Sequence, residues 1–160
     1  RLAQVKGIAA GTAVSYGGTW AAARETAVGL VPVGYADGVP RAAGNTVEVG
    51  IAGRRHPIVG RVAMDQFVVD VEHADVKAGD RVVIFGDPAK GVPSADELAI
   101  AAETINYELV TRMGGRFKRS YLGLRLGAFR HHSNILWRRR INAVLPSRRS
   151  KTSGASGKEL

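Results

Sequence analysis

The chain has 160 residues and a formal net charge of +9, with 45% hydrophobic and 23% charged residues. That length allows one domain with a real hydrophobic core, and the ordinary composition excludes wholesale disorder. No apolar run approaches the ~18 residues a membrane-spanning helix needs, and the absence of cysteine excludes disulfide frameworks, cysteine-ligated zinc sites and thiol catalysis.

The charge is unevenly placed. Residues 117–160 hold eleven Lys/Arg and one acid, whereas residues 1–116 hold twelve Lys/Arg and thirteen acids. The body is therefore close to neutral and the basic character belongs to the tail, which reads first as solvated surface and only second as a nucleic-acid arm. The chain starts at Arg1 without an initiating methionine or an apolar leader, so it is expected to be a piece of a longer protein, and the absence of cysteine fits a cytoplasmic one.

Taken in order, Thr26 to Val33 is β-branched and apolar and ends at Gly34, which predicts a strand. Val47, Val49 and Ile51 alternate with Thr46, Glu48 and Gly50, the period-two pattern of a half-buried strand. A turn at Gly53-Arg54-Arg55 leads into a strand over His56 to Val62. Phe67, Val69 and Val71 alternate with Gln66, Val68 and Asp70, and Arg81 to Phe85 follows the Ala78-Gly79-Asp80 turn. Short strands at this spacing point to a closed or sandwich-like β architecture.

Helical signals come late. Ser94 and Glu97 form a capping box, with Pro93 before it and the alanine-rich Leu98 to Glu103 after it. Asn106 is expected to cap a second helical turn through Tyr107 and Glu108 to Arg112, stopped by Gly114 and Gly115. After Pro146 the chain turns to Ser, Gly, Lys and Arg, and residues 147–160 are expected to be disordered.

The common chemical constellations are missing. His56, His73 and the pair His131-His132 have no metal-ligand spacing and read as surface or strand histidines, so no metal is expected. There is no Gly-x-Ser-x-Gly elbow and no Walker-type phosphate loop. Tyrosine is more informative: three of the four sit in tight backbone contexts, Ser15-Tyr16-Gly17-Gly18, Gly34-Tyr35-Ala36-Asp37-Gly38 and Ile105-Asn106-Tyr107-Glu108. A ring beside glycine packs on backbone or projects into a cleft, and in a cleft beside a cation a phenol can serve as a general acid/base.

Val14-Ser15-Tyr16-Gly17-Gly18-Thr19-Trp20, Val31 to Arg41, Pro57 to Gln66, and Thr104-Ile105-Asn106-Tyr107-Glu108 together resemble the carboxy-terminal domain of bacterial alanine racemase, over residues 1–121. The resemblance implies a mainly β fold, a Greek-key-type closed β-barrel with one or two short helices near residues 94–113; the basic extension over 122–160 departs from the family. It also implies a missing amino-terminal α/β barrel that carries pyridoxal 5'-phosphate (PLP) on a lysine, and a head-to-tail homodimer in which this domain completes the partner's site. The reaction would interconvert L- and D-alanine for peptidoglycan.

By the same resemblance, Tyr16 would be one of two catalytic bases, opposite the cofactor lysine. Tyr35, Arg41 and Asp65 would line the substrate's approach, Met64 would offer its backbone amide to the substrate carboxylate, and Tyr107 would hydrogen-bond the cofactor phosphate. Asp37-Gly38 reads as a turn pair whatever the function, and Arg61 and Gln66 have no derivable role. The opposing class is a non-catalytic fragment or interaction module with a nucleic-acid-binding tail. A related PLP decarboxylase would bring a cysteine, and there is none.

Overall fold

The computed structural model describes residues 1–72 and 74–120. The basic extension over 122–160 lies outside them, as do His73, Tyr121 and the histidine pair.

Among the described residues eight strands, β1 (Gln4–Ile8), β2 (Ala13–Val14), β3 (Trp20–Ala21), β4 (Thr26–Val31), β5 (Glu48–Ile51), β6 (Arg54–Val59), β7 (Phe67–Asp70) and β8 (Val82–Val83), precede two α-helices, α1 (Ala95–Ala101) and α2 (Asn106–Arg112). β2 and β3 form a small hairpin, and the other six make an antiparallel sheet in the order β1-β4-β7-β6-β5-β8. Within it β5, β6 and β7 are a meander, and β4 crosses over to lie beside β7, which is a Greek-key arrangement.

The period-two readings match the burial. Val47, Val49 and Ile51 point inward, as do Phe67, Val69 and Val71. The remaining bounds shift. The β4 pairing ends at Val31 and that of β6 at Val59, and β8 keeps two of the five residues expected. The β5–β6 turn falls at Ala52-Gly53, not Gly53-Arg54-Arg55, with φ of 49° and 76°. A two-residue hairpin loop with positive φ at both positions follows the right-handed twist of its strands. β1 was not foreseen: its residues alternate poorly, and only its register against β4, from Gln4↔Leu30 to Ile8↔Thr26, makes it a strand.

Closure of the barrel is not observed. β1 and β8 are the sheet edges and do not pair with each other. The residues just ahead of them do meet, for the Leu2 amide donates to the Asp80 carbonyl (2.9 Å) and the Gly79 amide to the Leu2 carbonyl (2.8 Å). The sheet therefore curls until its edges touch at one corner. With two residues in β8, the ladder stops there.

The helices cover the core through Leu98 of α1 and Leu109 of α2, both fully buried; a buried leucine contributes about 1.5–3 kcal/mol over an exposed one. The capping box at α1 is complete: the Glu97 amide donates to Ser94 Oγ (3.1 Å) and the Ser94 amide to Glu97 Oε1 (3.3 Å). Arg55 of β6 ties the helix to the sheet by a two-point contact with Glu97 (2.5 and 3.2 Å), which lowers the carboxyl's pKa. Asn106 does not cap α2. It is the first helical residue, and its Nδ2 is committed to Asp96 Oδ1 of α1 (2.5 Å).

Candidate functional site

Three loops carry five of the six expected site residues; two of them are bonded backbone to backbone, and the third is joined to them through side chains. In the β4–β5 crossover, the Tyr35 amide donates to the Ala63 carbonyl (3.0 Å) and the Ala36 amide to the Met64 carbonyl (2.9 Å), so the turn bearing Tyr35 lies against the β6–β7 loop bearing Met64 and Asp65. Such an approach requires glycine at 34, where a Cβ would stand 2.3 Å from the Ala63 carbonyl oxygen. Arg41 opens a second 3-10 turn of the same crossover and is exposed.

Tyr16 lies in the β2–β3 loop, in a tight turn over Tyr16–Gly18. Ser15, just ahead of it, has φ 65° and ψ 177°, a corner of conformational space confined essentially to glycine that costs a side-chain-bearing residue about 1–3 kcal/mol. Its Oγ donates to the Arg61 carbonyl (2.5 Å). Asn45 braces the same corner: its Oδ1 accepts from the Gly60 amide (2.6 Å) and its Nδ2 donates to Thr19 Oγ1 (3.2 Å). A cavity of about 290 Å³ opens beneath the turn, lined by Ser15, Tyr16, Ala63, Gln66, Phe67 and Val68.

Asp37 locks the arrangement. Its buried carboxylate takes Arg116 Nε at 2.9 Å and Nη2 at 2.5 Å, and Oδ2 also accepts the Gly34 amide at 3.0 Å. Arg116 Nη2 reaches on to the Asp65 carbonyl (3.0 Å). The Arg116 hydrogen bonds, aided by the Gly34 amide and opposed by burial, bring the Asp37 carboxyl down to about 2. The Gly114 amide, just beyond α2, donates to the Asp37 carbonyl (3.1 Å). Asp37 is thus more than a turn residue, and Arg61 gains a role as the platform under Ser15. No short-range pattern in the sequence marks either contact.

Apolar and aromatic side chains normally face inward, yet four of the expected residues do not: Tyr16 is 71% exposed, Tyr35 46%, Met64 60% and Tyr107 77%. The Met64 amide donates to nothing among the described residues, so a donor is available at an open loop. Tyr107 stands apart, on the first turn of α2, whose opposite end is the one that abuts Gly38. Among the described residues the six side chains make no hydrogen bond with one another, and no cluster of three His, Asp or Glu could hold a metal. The arrangement sets outward-facing phenols and an unspent amide on a braced backbone.

The family described as alanine racemase, C-terminal domain, matches residues 1–121. Alanine racemase of Frankia casuarinae is 52% identical over 120 residues, covering 75% of this chain and 31% of that protein. Alanine racemase of Mycolicibacterium vanbaalenii is 51% identical over 124 residues, 76% of this chain and 32% of that protein. The chain thus spans about a third of the length of the curated relatives it matches. Among solved structures, the alanine racemase of D-cycloserine-producing Streptomyces lavendulae superposes with a TM-score of 0.74 at 51% identity, over 77% of this chain and 32% of that one. That of Bartonella henselae, which holds covalently bound pyridoxal phosphate, does so with a TM-score of 0.69 at 32% identity, over 76% and 33%. The exposed tyrosines therefore sit in a domain whose family is shown: residues 1–121 belong to the alanine racemase carboxy-terminal domain family.

Proposed function

We propose that this domain works as part of a PLP-dependent alanine racemase, where it supplies Tyr16 as one of two acid/base groups that exchange the Cα proton of alanine. The observation that supports this most is the exposed phenol of Tyr16 on a turn fixed from both sides, within the same loop cluster as the unspent Met64 amide. Racemisation removes a proton from one face of Cα and returns one to the other, so it needs two groups facing each other across the substrate. This chain presents one face, and the other group, with its lysine, would come from the domain the relatives have in addition. Completion across a homodimer, in the cytoplasm and for peptidoglycan, belongs to the same reading.

The residues present fit the cofactor in part. Tyr107 has an exposed hydroxyl with no partner among the described residues, suited to donate to a phosphate oxygen. Bound PLP supplies the electron sink that makes the Cα proton acidic. Tyr16 would hold or release the proton at its phenolic oxygen. Met64 would orient the substrate by donating its backbone N–H to the carboxylate, and Tyr35, Arg41 and Asp65 would shape the approach.

The test is a hybrid in which residues 1–120 replace the matching domain of the Streptomyces lavendulae racemase. Tyr16→Phe should lower racemisation about 10²–10⁴-fold, the usual worth of a positioned acid/base group. An undiminished rate overturns the reading. The 160-residue chain by itself, given PLP, should turn over alanine no faster than free PLP.

A further inference from the structure

We infer that Ser15 is a positioning residue for Tyr16, its hydroxyl pinning the backbone in the one conformation that projects the tyrosine ring out of the β2–β3 hairpin. The inference rests on the reading of Tyr16 given above and assigns the residue that aims it.

Tyr16 is largely exposed and makes no hydrogen bond through its ring among the described residues, which leaves the backbone on either side as the main limit on its direction. On the amino-terminal side, Ser15 lies in the glycine-only corner and is held there by its Oγ on the Arg61 carbonyl. On the carboxy-terminal side, Gly17 lies against the Arg61 guanidinium, where a Cβ would stand 3.0 Å from Nη1. One residue of the β6–β7 loop thus meets both neighbours of Tyr16, by a hydrogen bond at Ser15 and by close approach at Gly17. The hairpin settles this low because residue 60 is glycine: a Cβ there would come within 2.8 Å of both Ser15 Cβ and the Val14 carbonyl oxygen.

The choice of serine is the informative point. Glycine at 15 would reach the same φ and ψ without strain, but it would reach many others as readily. Serine accepts strain and gains a hydroxyl that selects one conformer, the pattern expected where direction matters more than local stability. Strain and hydrogen bond can be separated by substitution. Ser15→Ala keeps the strain and loses the bond; Ser15→Gly loses both.

Two measurements test this. In the ¹⁵N-labelled 160-residue chain, the amides of Tyr16, Gly17 and Gly18 should show rigid-backbone order parameters near ~0.85, dropping below ~0.6 in Ser15→Gly while those of Val68 and Val69 stay unchanged. Unchanged order parameters in the turn overturn the inference. In the hybrid racemase, Ser15→Gly should lower kcat about 10- to 100-fold, as expected for a reacting group displaced by an ångström or less. KM should stay within about twofold, because the substrate carboxylate is assigned to Met64 rather than to Tyr16. Ser15→Gly relieves strain and so remains informative where Ser15→Ala does not fold. An inactive Tyr16→Phe beside a fully active Ser15→Gly overturns the role of Ser15 alone. A fully active Tyr16→Phe overturns the reading of Tyr16, and with it the catalytic consequence of Ser15.

Discussion

Asp37 and Arg116 lie 79 positions apart in the sequence and form a two-point ion pair, with the carboxylate buried and the guanidinium half exposed. The pair binds three segments at once: the Tyr35 turn through the Gly34 amide, the Met64–Asp65 loop through the Asp65 carbonyl, and the chain leaving α2. The pair touches no candidate reacting group, yet it sets the spacing between the loops that carry them.

Replacing Asp37 tests this. Asp37→Asn keeps the shape and removes the charge, leaving Arg116 poorly matched and the Gly34 amide with a weaker acceptor. A loss of about 1–2 kcal/mol in urea unfolding is expected, the worth of charge-assisted hydrogen bonds to a buried acceptor whose partner is half exposed to solvent. The pH dependence follows from the direction of the shift. The folded carboxyl sits at about 2, below its ordinary value, so its contribution to stability is complete above roughly pH 5 and is lost as pH falls through ~4 towards ~2. Stability of Asp37→Asn should therefore change less with pH across that window than stability of the parent chain. Equal slopes would show that the carboxylate does not hold the loops.

Asn45 is predicted to matter more than an exposed loop residue should. It has φ 63°, accepts from Gly60 and donates to Thr19, so it ties the Tyr16 loop to the end of β6. Asn45→Ala loses both bonds and keeps the unfavourable φ, and is expected to cost about 2 kcal/mol. Asn45→Gly loses the bonds but not the conformation, so it should cost measurably less. Equal losses in the two variants, read by thermal unfolding, would mean that the backbone conformation contributes nothing.

Ser94→Ala should remove the capping hydrogen bond to the Glu97 amide and cost about 1 kcal/mol. The loss belongs to α1, so amide exchange should quicken there first and leave β7 unchanged. Faster exchange throughout the sheet would instead mean that α1 and the sheet unfold together.

Much of the framework was legible without coordinates because it is encoded over short distances. The inward faces of β5 and β7 follow from side chains that alternate every second residue, and the start of α1 follows from a serine and a glutamate three positions apart. The candidates Tyr16, Tyr35, Met64 and Tyr107 come instead from the resemblance of the motifs around them to one family, not from any local periodicity. The structure adds that all four are exposed.

Only the tertiary structure decided the remainder. β1 is a strand because β4 offers it a free edge, its own residues showing no alternation; the barrel closes no further than one corner because β8 is two residues long; and Asn106 leaves its cap to reach Asp96. The braces at Ser15, Asp37 and Asn45 depend on donors and acceptors left over from other segments. A chain records its local periodicities in its order of residues. Which spare carbonyl or amide stands opposite which side chain exists only once distant segments have packed together.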